Sequence, residues 1–235
     1  MYAVLKRDFR SYFNSPIAYV LIGLYLFILS LFFADSVNYG VADFSSSFIS
    51  SMSFLLLFIV PLLTMRTLAE DKKAGTEVLL LTSPTRISQI VIGKFLASFS
   101  VFLVMTATTF IFPLILILFG QPEESTILSS YLGFILLGAV YISVGVFASS
   151  LTENQIVAAI ISFVSLFALT SIEFVASYVG GFIGKILNWL SVMDRYYDFS
   201  TGIIDLTSLI FMISIAGVFL FLTMRVLERK RWSQG

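Results

Sequence analysis

One carboxylate, Glu173, interrupts an otherwise apolar stretch, and it is the residue from which chemistry inside this chain would have to start. Paired with Asp194 or Asp198 it could supply an acid and a base. Two such carboxylates act together only when they share a site within a few ångströms, and these come from different segments. Counted from Ile156, Glu173 lies roughly 26 Å along a helix, near the far surface of a bilayer if that helix starts at the near one. It therefore reads either as a contact in a pathway or gate, since buried ionisable groups in membranes usually face the protein interior, or as a carboxylate at the water boundary. The chain has no cysteine and no histidine, so thiolate and imidazole metal sites, Ser-His-Asp triads and Cys-His dyads are excluded. Gly93-Lys94-Phe95 and Gly184-Lys185-Ile186 each lack the hydroxyl residue and the upstream glycine of a phosphate-cradling loop. No nucleotide site is expected in this chain, and any ATP and magnesium must be bound by a partner.

The elements that would position these residues are helices in a membrane. Of the 235 residues, 58% are apolar and only 12% charged, about half the charge a soluble domain carries. Net charge is zero, which gives no sign of a nucleic-acid surface. Six apolar runs approach or exceed the roughly 20 residues needed to cross a bilayer, at 17–34, 48–65, 95–119, 131–151, 156–172 and 206–224. They lack the alternation of a β-barrel strand, so the expected fold is an all-α polytopic bundle in a single transmembrane domain. Pro61 and Pro113 are expected to kink their spans.

Six spans place Lys6, Arg7, Arg10, Arg66, Lys72, Lys73, Arg86, Lys94, Arg225, Arg229, Lys230 and Arg231 on one side and leave only Lys185 and Arg195 on the other. The basic side is the cytoplasm, with both termini there. Before the first span, Leu5, Phe9, Tyr12 and Phe13 recur at helical spacing opposite Lys6, Arg7 and Arg10, as in an amphipathic interfacial helix; an ordinary basic flank is the alternative. Ser15-Pro16 provides an N-cap followed by proline at the first helical position. Small residues four apart, Ala139 with Ser143 and Gly145 with Ser149, could admit a neighbouring helix closely. Residues 177–201 combine Gly180-Gly181 and Gly184 with Trp189 and Tyr196-Tyr197. They suit a short re-entrant or interfacial helical pair on the outside, or an external loop with aromatic anchors.

The longest basic connection, 66–94, is patterned. Its first part continues the second helix, Gly75 breaks it, 76–82 has the length of a short helix, and Ser83-Pro84 turns the chain. Glu77-Val78-Leu79-Leu80-Leu81 is too apolar for a solvated loop and too short to span, so it needs a protein partner or the lipid interface. The run Glu70-Asp71-Lys72-Lys73-Ala74-Gly75-Thr76-Glu77-Val78-Leu79-Leu80-Leu81-Thr82-Ser83-Pro84, followed by Gly93-Lys94-Phe95, resembles the cytoplasmic signature of ABC-2-type transporter permeases. The opening Lys6-Arg7-Asp8-Phe9-Arg10 and the closing Leu227-Glu228-Arg229-Lys230-Arg231 are similar to the gliding-motility-type branch. Asp194-Arg195-Tyr196-Tyr197 departs from it where a histidine beside an aromatic is expected.

The resemblance implies an exporter subunit in the inner membrane of a prokaryote, paired with a second permease, identical or paralogous, and with two cytoplasmic ATPase subunits. It implies that 76–82 is a coupling helix gripped by the ATPase, starting at Thr76 and bounded by Gly75 and Pro84, with Glu77, Leu79, Leu80 and Leu81 at the contact and Glu70 and Arg86 flanking it. It also implies that the 177–201 element caps the outer end of the pathway. Two other classes stay open on the residues alone: an intramembrane lipid-modifying enzyme using Glu173, and a non-transporting membrane anchor of a larger machine.

Overall fold

The structure, a computed structural model, describes residues 1–39, 48–77, 85–119 and 124–233. Among them every regular element is helical: α1 (Tyr2–Asn14), α2 (Pro16–Tyr39), α3 (Ile49–Thr64), α4 (Ala69–Lys73), α5 (Ile87–Thr109), α6 (Ile111–Phe119), α7 (Glu124–Leu151), α8 (Gln155–Val179), α9 (Gly181–Leu190), α10 (Val192–Ser200) and α11 (Leu206–Ser233). Six helical stretches are long and apolar enough to cross a membrane. The protein is an all-α polytopic membrane protein.

Burial divides the spans. Most of the stretch from α3 into α4, and most of α7, is enclosed by other helices, whereas α2, α8 and α11 turn most of their surface outward. Glycines set how closely the enclosed helices meet. A side chain on Gly145 of α7 would stand 2.1 Å from Thr64 Oγ1 of α3, and one on Gly138 would lie 2.2 Å from the Phe102 ring of α5. Both neighbours are fully buried, so the absent side chains are what admit them.

Several helix ends follow the sequence. Ile17 N donates to Ser15 Oγ at 3.4 Å as α2 begins at Pro16. Asn154 Oδ1 accepts from Ile156 N at 2.9 Å and caps α8. The third apolar run is not one helix: α5 and α6 part at Phe110, before Pro113. Proline at 113 has no N–H for the Thr109 carbonyl four residues back, and Tyr131 Oη donates to that carbonyl instead, at 3.1 Å. Pro61 is accommodated inside α3. The fifth apolar helix is longer than the run 156–172, because Ser171, Glu173 and Ser177 continue its turns to Val179, and Glu173 lies within it.

The 177–201 element is a helical pair rather than a loop. Gly180 and Gly181, at φ of +57° and +60°, reverse the chain out of α8 into α9, and Ser191 caps α10 by accepting from Asp194 N at 3.1 Å. The two helices differ in burial. Tyr196 and Phe199 of α10 are fully enclosed, and Phe199 sits where Gly133 of α7 leaves room. Phe182, Ile183 and Trp189 of α9 face outward.

Candidate functional site

The basic residues gather where α1, α4 and the start of α5 meet. The helical path tightens after Thr64, and four residues of turn lead into α4. Ser149 of α7 holds this junction: its Oγ accepts from Leu68 N and Ala69 N, both at 3.0 Å, and donates to Met65 O at 3.2 Å. Amides at a helix start have no partner within their own helix, and here a hydroxyl from another helix supplies one. Lys72 donates to Ser150 O, the next residue along α7.

Beside α4, the α1 helix lies across α5. A side chain on Gly93 would come within 3.2 Å of Met1 O and Val4 Cβ, so glycine there lets α1 approach. The next residue, Lys94, is buried to 2% exposure. Its Nζ contacts Asp8 Oδ2 of α1 at 3.0 Å and Asp71 Oδ2 of α4 at 2.5 Å, and donates to Thr67 O. Arg7 contacts the same two carboxylates at 2.7 and 3.3 Å. Partial burial works against the Arg7 charge, but hydrogen bonding and attraction from Asp8 and Asp71 outweigh it and raise its pKa above the ordinary guanidinium value. A turn further along α1, Tyr12 Oη donates to Leu63 O at 2.8 Å and shares a 3.1 Å bond with Ser98 Oγ; burial pushes this phenol up to about 12. Arg66 clasps Glu70 through two bonds of 2.8 and 3.0 Å. Together these side chains line a cavity of about 270 Å³.

The residues expected to meet a partner leave from this junction. Glu70 is held by Arg66. Gly75 takes a φ of +70°, which a side chain would strain, and turns the chain out of α4. Thr76 Oγ1 donates to Asp71 Oδ1 at 2.9 Å, so one carboxylate binds Lys94 and Arg7 with one oxygen and Thr76 with the other. Glu77 lies 3.8 Å from Lys230 near the end of α11. Leu79, Leu80, Leu81 and Pro84 lie outside the described residues. Arg86 is exposed at the start of α5.

Glu173 stands apart from this junction. Asp194 and Tyr197 of α10 are close enough to interact with it electrostatically. Asp198 instead accepts from Ser208 Oγ at 3.0 Å, at the start of α11. No group of histidine, cysteine, aspartate or glutamate among the described residues is arranged to hold a metal ion.

In the sequence Asp8 and Asp71 stand only inside the family-like runs, and Lys94 counts for orientation and signature, with no pairing among the three. The available signal was a lysine directly before an apolar run: a charge at that position needs a countercharge from another segment. Gly93-Lys94 serves packing and pairing here, the glycine admitting α1 and the lysine tying it down.

The model of a family described as ABC-2 family transporter protein matches residues 34–225. None of the curated proteins matches the chain significantly. Helix α1, with Arg7 and Asp8, precedes the matched residues, while Asp71 and Lys94 lie within them. Six candidate spans, a basic junction at one end and a match over most of the chain agree: the chain belongs to the ABC-2 transporter family, as a membrane component of an ABC transporter.

Proposed function

We propose that this chain is the permease half of an ATP-driven exporter and that the segment from Thr76 to Thr82 is the helix a separate cytoplasmic ATPase grips. Two ATPase subunits and a second permease, identical or paralogous, complete the assembly in a prokaryotic inner membrane, with both termini of this chain cytoplasmic. ATP and magnesium belong to the ATPase. Glu70, Gly75, Thr76, Glu77 and Arg86 frame the contact, Leu79, Leu80 and Leu81 fill it, and Glu173 faces the pathway or its gate.

The observation that carries this reading is the mounting of Thr76. A lever needs a rigid base, and Thr76 is tied to Asp71, which Lys94 and Arg7 hold in turn. Force applied beyond Gly75 therefore reaches α4 directly and reaches α1 and α5 through ion pairs. Leu79→Asp with Leu80→Asp tests the reading. The doubly substituted chain should insert in the membrane as before and lose co-purification of the ATPase, because two carboxylates cannot enter an apolar groove unpaired. Unchanged co-purification would refute it.

A further inference from the structure

Lys94 is enclosed more deeply than any other charged residue described, and its contacts come from three places: α1, α4 and the turn between α3 and α4. One carboxylate would have been enough to pair a buried ammonium. Two carboxylates on separate helices mean that the ammonium also holds those helices together. Without it, Asp8 and Asp71 would face each other across one shared guanidinium, Arg7, which is half exposed. Elsewhere α1 is secured at its far end, where Tyr12 bonds to Leu63 O and Ser98, and by Val4 against Gly93.

We infer that Lys94 is a positioning residue: by binding Asp8 and Asp71 at once it clamps α1 onto α4, and through the second oxygen of Asp71 it sets the pose of Thr76 and the segment beyond. The importance of that pose rests on the proposed role of 76–82, whereas the clamp itself does not. Removing Lys94 turns an attraction into a repulsion between two carboxylates, so α1 swings away about Tyr12. Removing Asp8 as well leaves Asp71 facing Arg7 alone, a neutral pair, and α1 returns. A lysine that only filled space would behave oppositely, the second substitution adding to the damage.

The chain contains no cysteine, so Lys6→Cys and Lys73→Cys, both at exposed positions, give a spin-label pair without background. The distance is read by pulsed electron resonance on the full-length permease in phospholipid nanodiscs. Lys94→Met should lengthen and broaden it by about 5 Å, the scale on which one packed element steps past another. Lys94→Met with Asp8→Asn should bring it back, and Lys94→Arg should hardly move it. If Lys94→Met does not accumulate in the membrane, Asp8→Lys applies the same stress from the other partner and must also lengthen the distance. The inference is overturned if the distance is unchanged in the single variants, or if the double variant is displaced as far as Lys94→Met or further. These distances need no ATPase, so unchanged co-purification in the leucine experiment would remove the proposed function and leave the clamp standing, whereas unchanged distances would remove the clamp and leave the proposed function.

Discussion

Replacing Ser149 with alanine tests whether α4 is carried by α7. The hydroxyl is buried, accepts from the amides of Leu68 and Ala69 at 3.0 Å each, and donates to the Met65 carbonyl. The change removes a single oxygen, so lost packing is small and the cost lies in the stranded amides. An unsatisfied buried donor costs about 1–3 kcal/mol, and two that relax partly together come to about 2–4 kcal/mol. That figure should appear locally. In hydrogen exchange followed by mass spectrometry, the peptide covering Leu68 and Ala69 should exchange at least about 30-fold faster, since 1.4 kcal/mol is a factor of ten. Ser143→Ala is the control: that hydroxyl is equally buried, but its bond is to Val140 O on its own helix at 2.6 Å, and its loss should cost under about 1 kcal/mol. If Ser149→Ala exchanges no faster at this peptide than Ser143→Ala, α4 is not mounted on α7 by this bond and the rigid base of the lever is lost.

Gly138→Ala should destabilise the bundle by about 1–3 kcal/mol in thermal unfolding, because its methyl would lie 2.2 Å from a Phe102 ring that is itself packed on Phe134 and Phe99. Gly23→Ala, with nothing within 4 Å, should be neutral or slightly stabilising. Tyr12 predicts an alkaline limit. Its phenol titrates at about 12 in the fold against about 10 in the unfolded chain, so the folded state holds the proton longer and stability falls as pH rises from 10 towards 12. Below pH 9 this contribution is constant. Tyr12→Phe should flatten that part of the profile, and the wild-type minus Tyr12→Phe difference in denaturation isolates it from the lysines that also titrate there.

The spans were legible because an apolar run of bilayer length has few other ways to satisfy its backbone. The ends were less so. Glu173 and Ser177 look like the close of an apolar window, yet a helix stops only when its hydrogen bonding is interrupted, and that happens at Gly180. Pro113 signals a kink in the third run, and the helix parts nearby at Phe110, but the carbonyl that proline frees is satisfied by Tyr131 from another span, a partner local pattern cannot name. Of the two small-residue pairs in the fourth span, one has cross-helix partners that can be named. Gly145 and Ser149 do face α3 and α4, whereas Ser143 bonds back to Val140. The α1–α4–α5 junction was least legible. Asp8, Asp71 and Lys94 are far apart in sequence, and each alone looks like an ordinary solvated charge.

The junction and the contact beside it differ in how they can yield. Lys94, Asp8, Asp71 and Arg7 share atoms: the Asp71 Oδ2 oxygen meets two cations and the Lys94 ammonium meets two carboxylates. Moving one helix breaks several bonds together in a setting where stranded charges are costly, so the junction moves as a unit or stays put. The Glu77–Lys230 contact is longer, at 3.8 Å, with a lysine about one-third exposed, a carboxylate that is mostly buried, and Lys72 close enough to interact with both. On the proposed coupling role, a partner that takes hold from Glu77 onward must offer this buried carboxylate another countercharge in exchange for Lys230, while Asp71 still retains Thr76. Glu77 can then trade one countercharge for another while the bond from Thr76 to Asp71 keeps the chain beyond Gly75 attached to α4.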